Sequence, residues 1–383
     1  MVQVAAADEP RLLPSDELAD GWMQLFDGHS LFGWHATSDA DWQAVDGELR
    51  VASGEPGFLM TTTAFADYAL HVEFKIPAAT NSGIFLHTPL DPRDPAGDCY
   101  ELNIAPPDNP FPTGSLVGRH KWIPKSPPPT FADRNWHAFE VAVVGGNVQV
   151  HVDGRLAQDY VDPAPLSRGY IGLQFREGPI SFRNIRLRPL GLEPMFNGQN
   201  LDGWNTDLAE ESEFEVTPAG ELRVLDGRGQ LESVGKYADF VFQLECRVDG
   251  DGLNSGIFFR CVPRQLMNGY ESQIHNAFHG GDPTRPVDCG TGGIFRRQDA
   301  RRVVSRDHQW FTKTIVADGP HMAVWVNGYQ VSDWTDTREP DRNPRRGLRT
   351  KRGTLCIQGH DPTTDLRFRN LRILELPKRA LPK

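Results

Sequence analysis

The chain has 383 residues, a net charge of −11, 37 glycines, 30 prolines and 10% aromatic residues. Its length allows two or three domains, its acidity argues against a general nucleic-acid partner, and no apolar run is long enough to span a membrane. A turn-rich composition without low complexity suits an all-β globular protein.

The start, Met1-Val-Gln-Val-Ala-Ala-Ala-Asp-Glu-Pro10, lacks a basic region and a proper apolar core. Val4 to Ala7, ahead of an acidic stretch, nevertheless resembles the small-residue end of an export signal. A periplasmic or secreted location is the expectation, with a cytoplasmic protein bearing an ordinary tail as the alternative. Leu25-Phe-Asp-Gly-His-Ser-Leu-Phe-Gly-Trp34 then opens a set of motifs that the chain repeats. It returns as Met195-Phe-Asn-Gly-Gln-Asn-Leu-Asp-Gly-Trp204. Asn81–Phe85 returns as Asn254–Phe258, Tyr100-Glu101 as Tyr270-Glu271, and Phe182–Asn184 as Phe368–Asn370. The order is kept at offsets of 170 to 186 residues, a period that fits a whole domain rather than a solenoid.

Period-two alternation marks strands at Tyr68–Ile76, Phe139–Val143 and Val148–Val152, and again at Phe240–Val248 and Met322–Val326. Asp153-Gly154 and Asn327-Gly328 lie between such runs as hairpin turns. No segment has helical periodicity for three turns. The reading is all-β, with two tandem jelly-roll β-sandwiches. Residues 1–19 form a tail, 20–190 the first domain, 191–376 the second, and 377–383 a second tail. The short joint Arg188–Pro194 predicts sandwiches held close together. Pro106–Pro112 and Pro124–Pro129 are loops, because proline cannot serve a central strand.

Charge divides unevenly. Residues 1–190 hold 14 Lys and Arg against 24 Asp and Glu (net −10), and residues 191–383 hold 26 against 27 (net −1). The second copy is therefore the better host for electron-rich ligands. Four of the five cysteines also lie there. No CxxC pair points to structural zinc, and buried free thiols are preferred over a single disulfide.

In a strand, residues i, i+2 and i+4 share a face. Glu271, Gln273 and His275 therefore project together, where the first copy has Glu101, Asn103 and Ala105. On the preceding strand the same logic aligns Asn254, Gly256, Phe258 and Arg260 against Asn81, Gly83, Phe85 and His87. A polar face in the second copy is the functional reading, and loop fixation by both Tyr-Glu pairs is the structural one. His279, Asp282, Asp288 and His275 cluster in the following loop, and Asp with His can hold a divalent metal. The glycines of Gly290–Gly293 allow close approach to a ligand. Arg296 begins a basic run from which one arginine could reach an anionic or carbonyl oxygen. Gln358 and His360 add a further amide and a base or ligand, and Trp204 a surface for sugar stacking, whereas Trp310 and Trp325 read as core. No Gly-x-Ser-x-Gly, His-Glu-x-x-His or Walker motif is present. Glu271 has no acid at i+2 or i+4 to complete a glycosidase pair.

As a set, these elements resemble the 3-keto-disaccharide hydrolase domain family, whose fold is the concanavalin A-like jelly roll. Asn254–Arg260, Gly269–Ile274, Thr291–Ile294, Trp310, Asn327-Gly328, Gln358–His360 and Phe368–Asn370 match in the second copy. The first copy departs at Cys99, Leu102-Asn103 and Phe175. The resemblance implies cleavage of glycosides already oxidised at C3, with an upstream sugar 3-oxidoreductase supplying the substrate. It needs one base, Glu271 or His275, and one electrophile for the enolate: Arg260, Arg296 or a divalent metal. Gln273, Asn254, Glu101, Gln358, His360 and Trp204 would bind sugar, and catalysis would fall mainly to the second copy. The competing class is a non-catalytic, lectin-like tandem binder, since fold does not fix function.

Overall fold

The computed structural model describes residues 10–77, 80–94, 96–124 and 129–378. The alanine-rich start, part of the second proline-rich loop and the last five residues lie outside these.

The described residues form four antiparallel sheets, paired into two β-sandwiches of the same topology. In the first copy, an eight-stranded sheet runs Arg155–Val161, Asn147–Val152, His137–Val144, Tyr68–Lys75, Ile180–Pro189, Glu48–Val51 and Gln43–Val45, with Met23–Gln24 beside Ile180–Pro189. Its five-stranded partner runs Trp34–Ala36, Gly57–Thr61, Tyr170–Glu177, Asn81–Thr88 and Tyr100–Ile104. The second copy repeats both orders. Its larger sheet centres on Asp365–Glu375, Phe240–Val248 and Trp310–Asp318, and its smaller one runs Trp204–Asn205, Gly229–Ser233, Thr354–Gly359, Ser255–Cys261 and Tyr270–Ile274.

The period-two pattern has its expected cause. Tyr68, Leu70, Val72 and Phe74 are buried, while the residues between them are partly exposed. The hairpin turns also behave as read, with Asp153-Gly154 at φ 49° and 73° and Asn327-Gly328 at φ 48° and 73°. Both Phe-Arg-Asn motifs carry a bulge. Asn184 and Asn370 sit at φ 49° and 53° and donate to Glu73 and Glu245 on the adjacent strand. None of the five cysteines forms a disulfide, and all are buried.

The two sandwiches meet over an apolar joint. Val241, Val316, Ala323, Trp325 and Leu376 of the second copy join the first copy's hydrophobic cluster. Trp325 Nε1 donates to Gln24 O at 2.9 Å, and Arg301 donates to Asp27 at 2.7 Å while stacking on Phe32 and Tyr329. Part of the basic run is thus committed to the joint. The N-terminal segment holds the one α-helix among the described residues, Ser15–Asp20, closed by Gly21 at φ 89°. At six residues it is too short to show periodicity. Its Glu17 pairs with Arg186, and Leu13 and Leu18 lie against Gly328, so the stretch read as a tail is docked where the copies join.

Candidate active site

The smaller sheet of the second copy has two different faces. Tyr270, Ile274, Leu231, Ile257 and Ile357 point into the sandwich core. The intervening residues point outward. Strand register sets Glu271 opposite Phe258 and Gln273 opposite Gly256, then Cys356 and Gln358 on the next strand, opposite Glu232 and Gln230. One row of this outer face is therefore Gln230, Gln358, Gly256 and Gln273, and the neighbouring row is Glu232, Cys356, Phe258 and Glu271.

Glu271 is 9% exposed and makes no hydrogen bond or ion pair among the described residues. Burial pushes its carboxyl up to about 7, opposed by Arg345 and assisted by Asp288. It lies back over Gly256, where a Cβ would come within 2.6 Å of its Oε1. The adjoining row of the same face, running across the four strands, carries amides with unmet capacity. Gln230, Gln358 and Gln273 are almost fully buried, yet Gln230 Nε2, Gln358 Oε1 and Gln273 Oε1 have no partner. Such groups are rare in native interiors. Gln273 Nε2 donates to Asp288 at 2.8 Å, and Asn254 Nδ2 donates to the same carboxylate at 2.5 Å. His275 follows at the end of the row, its Nδ1 accepting from Ala277 N, and burial lowers its pKa so that the neutral imidazole is favoured.

The loop read as a ligand-approach element is instead a brace. Gln273 N donates to Gly293 O, Gly292 N to Gln273 O, and Phe295 N to Glu271 O, so the loop covers the free edge of the sheet. Its glycines serve packing: a Cβ on Gly293 would meet Cys289 O at 2.3 Å. The brace places Arg296 next to Phe295, with its guanidinium 5.1 Å from that ring. The positive charges of Arg296 and Arg345 both lower the Glu271 carboxyl.

Two expected site residues belong elsewhere. Arg260 is fully buried and turns away from the face, because the strand bulges between Phe258 and Cys261 and Arg260 takes φ 50°. It donates to Ala238 O and Gly319 O at 2.6 Å and pairs with Asp239 at 3.1 Å. His87 does the equivalent work in the first copy, with Nε2 2.7 Å from Ala66 O at φ 49°. Both residues are structural. Trp204 is core, with its Nε1 bonded to Met195 O at 3.0 Å, as Trp34 is bonded to Leu25 O. His360 stands exposed at the end of Thr354–Gly359, 2.8 Å from Asp361.

The metal candidates separate. Asp282 is occupied by Thr284, His279 lies exposed in a one-turn 3-10 segment, and Asp288 alone joins the amide row. Among the described residues no group of three His, Cys, Asp or Glu side chains stands where it could hold a metal ion.

The sequence reading missed Gln230, Arg345 and Lys313. Lys313 is 1% exposed and reaches from the opposite sheet to donate to Ser272 O and Gln273 O, at 2.9 and 2.8 Å. Burial lowers its pKa to about 7. Three residues beyond the matching Trp136, the first copy has Phe139, stacked on Phe74. A lysine at an inward strand position was the available signal. Lys313 also lowers the Glu271 pKa, so Lys313→Met is expected to move the ascending limb of a pH–rate profile to higher pH. An unmoved limb would separate Lys313 from Glu271.

The first copy keeps only part of this arrangement. Glu101 is likewise pushed up to about 7 by burial, but Phe58 stands across from Gln174 where the second copy has Gln230. Phe58 packs edge-on against Phe85 at 4.7 Å, and the Asn103 amide is spent on Phe111 O. The Tyr-Glu pair splits its duties in both copies. Tyr100 and Tyr270 fix loops through Asp162 and Asp336, at 2.8 and 2.7 Å, while the glutamates face outward.

The fold and this face define a tandem jelly-roll protein whose two copies differ on their outer faces, one bearing the amide row and the other interrupted by the Phe58–Phe85 pair. Residues 21–188 and 191–374 each match the 3-keto-alpha-glucoside-1,2-lyase-like domain, and the chain belongs to that family as two tandem copies. Solved structures similar to one copy include two candidate glycosyl hydrolases from Parabacteroides distasonis ATCC 8503. One is 18% identical, with 49% of this chain and 94% of that chain covered at TM-score 0.41. The other is 23% identical, with 49% and 100% covered at TM-score 0.39. The carbohydrate-binding module CBM66 from Bacillus subtilis is 15% identical, with 41% and 95% covered at TM-score 0.33. Among curated proteins none matches the chain.

Proposed function

We propose that the second copy cleaves 3-keto-glycosides by 1,2-elimination, with Glu271 as the base. The observation that carries the reading is an unbonded, desolvated carboxyl held near pKa 7 beside buried amides with unmet capacity. A 3-keto group acidifies the hydrogen on C2. Glu271 takes that proton, the electron pair forms the C2–C3 enolate, and collapse of the enolate expels the glycosidic oxygen from C1 as the alcohol. Water adding at C1 of the resulting enone, with a proton returned to C2, gives the free 3-keto-sugar. A base near neutral pKa is matched to this step. The Arg345 and Arg296 charges, which already act on Glu271, are suited to oppose the negative charge that develops on the ketone oxygen. Gln273, Gln358 and Asn254 would hold ring hydroxyls, and neutral His275 would serve the leaving group or the water. The substrate requires an oxidoreductase acting earlier at C3.

Turnover of a 3-keto-glucoside beside its unoxidised parent tests the reading. Cleavage of the keto form alone is expected. Equal cleavage of both would contradict it, and sugar binding without any cleavage would favour a tandem binding protein.

A further inference from the structure

Cys261 and Cys356 are 95 positions apart in the sequence and meet on the outer face of the second copy's smaller sheet. Their strands, Ser255–Cys261 and Thr354–Gly359, are paired neighbours. The register sets Phe258 opposite Cys356 and, beyond the bulge, Cys261 opposite Thr354. Thr354 and Cys356 share a face, being two apart on one strand. Cys261 therefore stands diagonally across from Cys356, a spacing at which cross-strand side chains still reach each other. The Cys356 sulfur lies 3.9 Å from Thr354 Oγ1, toward the residue that Cys261 faces. The two thiols are hydrogen-bonded, one donating to the other's sulfur. They pack in one cluster with Phe258, Met267 and Leu266, and both are 0% exposed.

The pair is confined to one copy. In the first copy Tyr170 stands opposite Thr88, as Thr354 stands opposite Cys261 in the second. This puts Thr88 and Gly172 at the positions of Cys261 and Cys356. The first copy has neither sulfur and the second has both. Their surroundings also suit a covalent tie. The bulge between Phe258 and Cys261 interrupts the ladder between the two strands, and the Met267 loop packs over this place. Met267 N donates to Gln230 Oε1 at 2.5 Å, and Met267 O accepts from Arg345 at 2.5 Å. A crosslink here would fasten the strand preceding Glu271 to the strand of Gln358 beneath that loop.

We propose that Cys261 and Cys356 are a disulfide-forming pair, closed by exchange with a small-molecule disulfide such as oxidised glutathione. The thiolate of one cysteine attacks the glutathione disulfide and releases one glutathione thiolate. The thiolate of the other then attacks the protein sulfur of the mixed disulfide, forms the Sγ–Sγ bond and releases the second. Two protein thiols are oxidised, one glutathione disulfide is reduced to two thiols, and the two protons pass to them. Burial holds the Cys261 thiol far above the usual thiol range, so in the folded, reduced chain it is protonated and closed to oxidant. The bond therefore forms while the chain folds, before the Met267 loop covers the pair. It does not depend on the Glu271 chemistry.

Oxidative refolding of the full chain tests the proposal. The protein is unfolded in urea with dithiothreitol and diluted into mixed reduced and oxidised glutathione, or into dithiothreitol as the control. Thiols are then alkylated in denaturant, and the digest is read by mass spectrometry. Two of the five cysteines are expected to escape alkylation, in one linked peptide pair carrying Cys261 and Cys356. The oxidised protein is expected to melt about 5 °C or more above the reduced one, because closing a long loop restrains the unfolded chain. Cys261→Ala and Cys356→Ala, made separately, should each leave melting indifferent to glutathione. Five alkylated cysteines after oxidative refolding, a glutathione adduct that never resolves, or a link through any other cysteine overturns the proposal. The peptide map is read on the unaltered chain, so it decides the question even where a variant fails to fold.

Discussion

Glu271→Gln is expected to lower turnover of a 3-keto-glucoside by roughly 10²–10⁴-fold, the usual worth of a positioned general base, while the protein remains folded. The side chain makes no hydrogen bond or ion pair that would be lost, and an amide of the same shape fills its place. The pH dependence should follow its ionisation. Burial raises the carboxyl to about 7, so the basic form is scarce in acid, and kcat/KM should climb toward neutral pH and level off above it. Stability runs the other way. A carboxyl with a raised pKa in the folded state favours folding in its protonated form. Stability is therefore lost as pH rises from the ordinary carboxyl range through about 7. Glu271→Gln removes that penalty, and the variant should be no less stable than the parent at pH 8. Glu101→Gln is the matched control. Glu101 has the same raised pKa, from burial opposed by Arg176, but its face lacks the amide row, so full activity is expected. Parallel kinetics and thermal melts of the two variants check both statements.

Arg260→Leu is expected to act on stability, costing roughly 3–5 kcal/mol, as when one partner of a buried ion pair is removed. The guanidinium bonds to carbonyls from three segments and pairs with Asp239. Without it those carbonyls and part of that carboxylate are left buried and unanswered. Denaturant unfolding would register the loss directly. A variant with normal stability and lost turnover would return Arg260 to the catalytic role that strand alternation first suggested.

That misplacement marks how far the sequence could be read. The tandem repeat, the alternating strands and the two hairpin turns were legible because each follows from local chemistry. The Glu271, Gln273 and His275 row was legible for the same reason, being a regular strand. Arg260 was not, since a bulge breaks the period of two and nothing local announces it. Trp204 looked like a sugar platform, but its indole N–H is tied to Met195 O across a loop. Arg345 reaches the site from a loop 74 residues beyond Glu271, a placement that only the tertiary fold creates. Lys313 was legible in principle as a charge on an inward strand position. Gln230 lies in Gly229–Ser233, a strand whose five residues are all buried, so it shows no alternation. His279 and Asp282 were grouped by closeness in sequence, and the loop holds them apart from Asp288.

The most direct test of proton abstraction at C2 is the fate of that hydrogen. A 3-keto-glucoside turned over in D2O should give an unsaturated product that has lost the C2 hydrogen, or a hydrated 3-keto-sugar carrying deuterium at C2. Mass spectrometry of the product, with a no-enzyme control for spontaneous exchange, distinguishes the cases. A product that keeps its original C2 hydrogen would mean that the glycosidic bond breaks without C2 deprotonation, and would contradict the role assigned to Glu271.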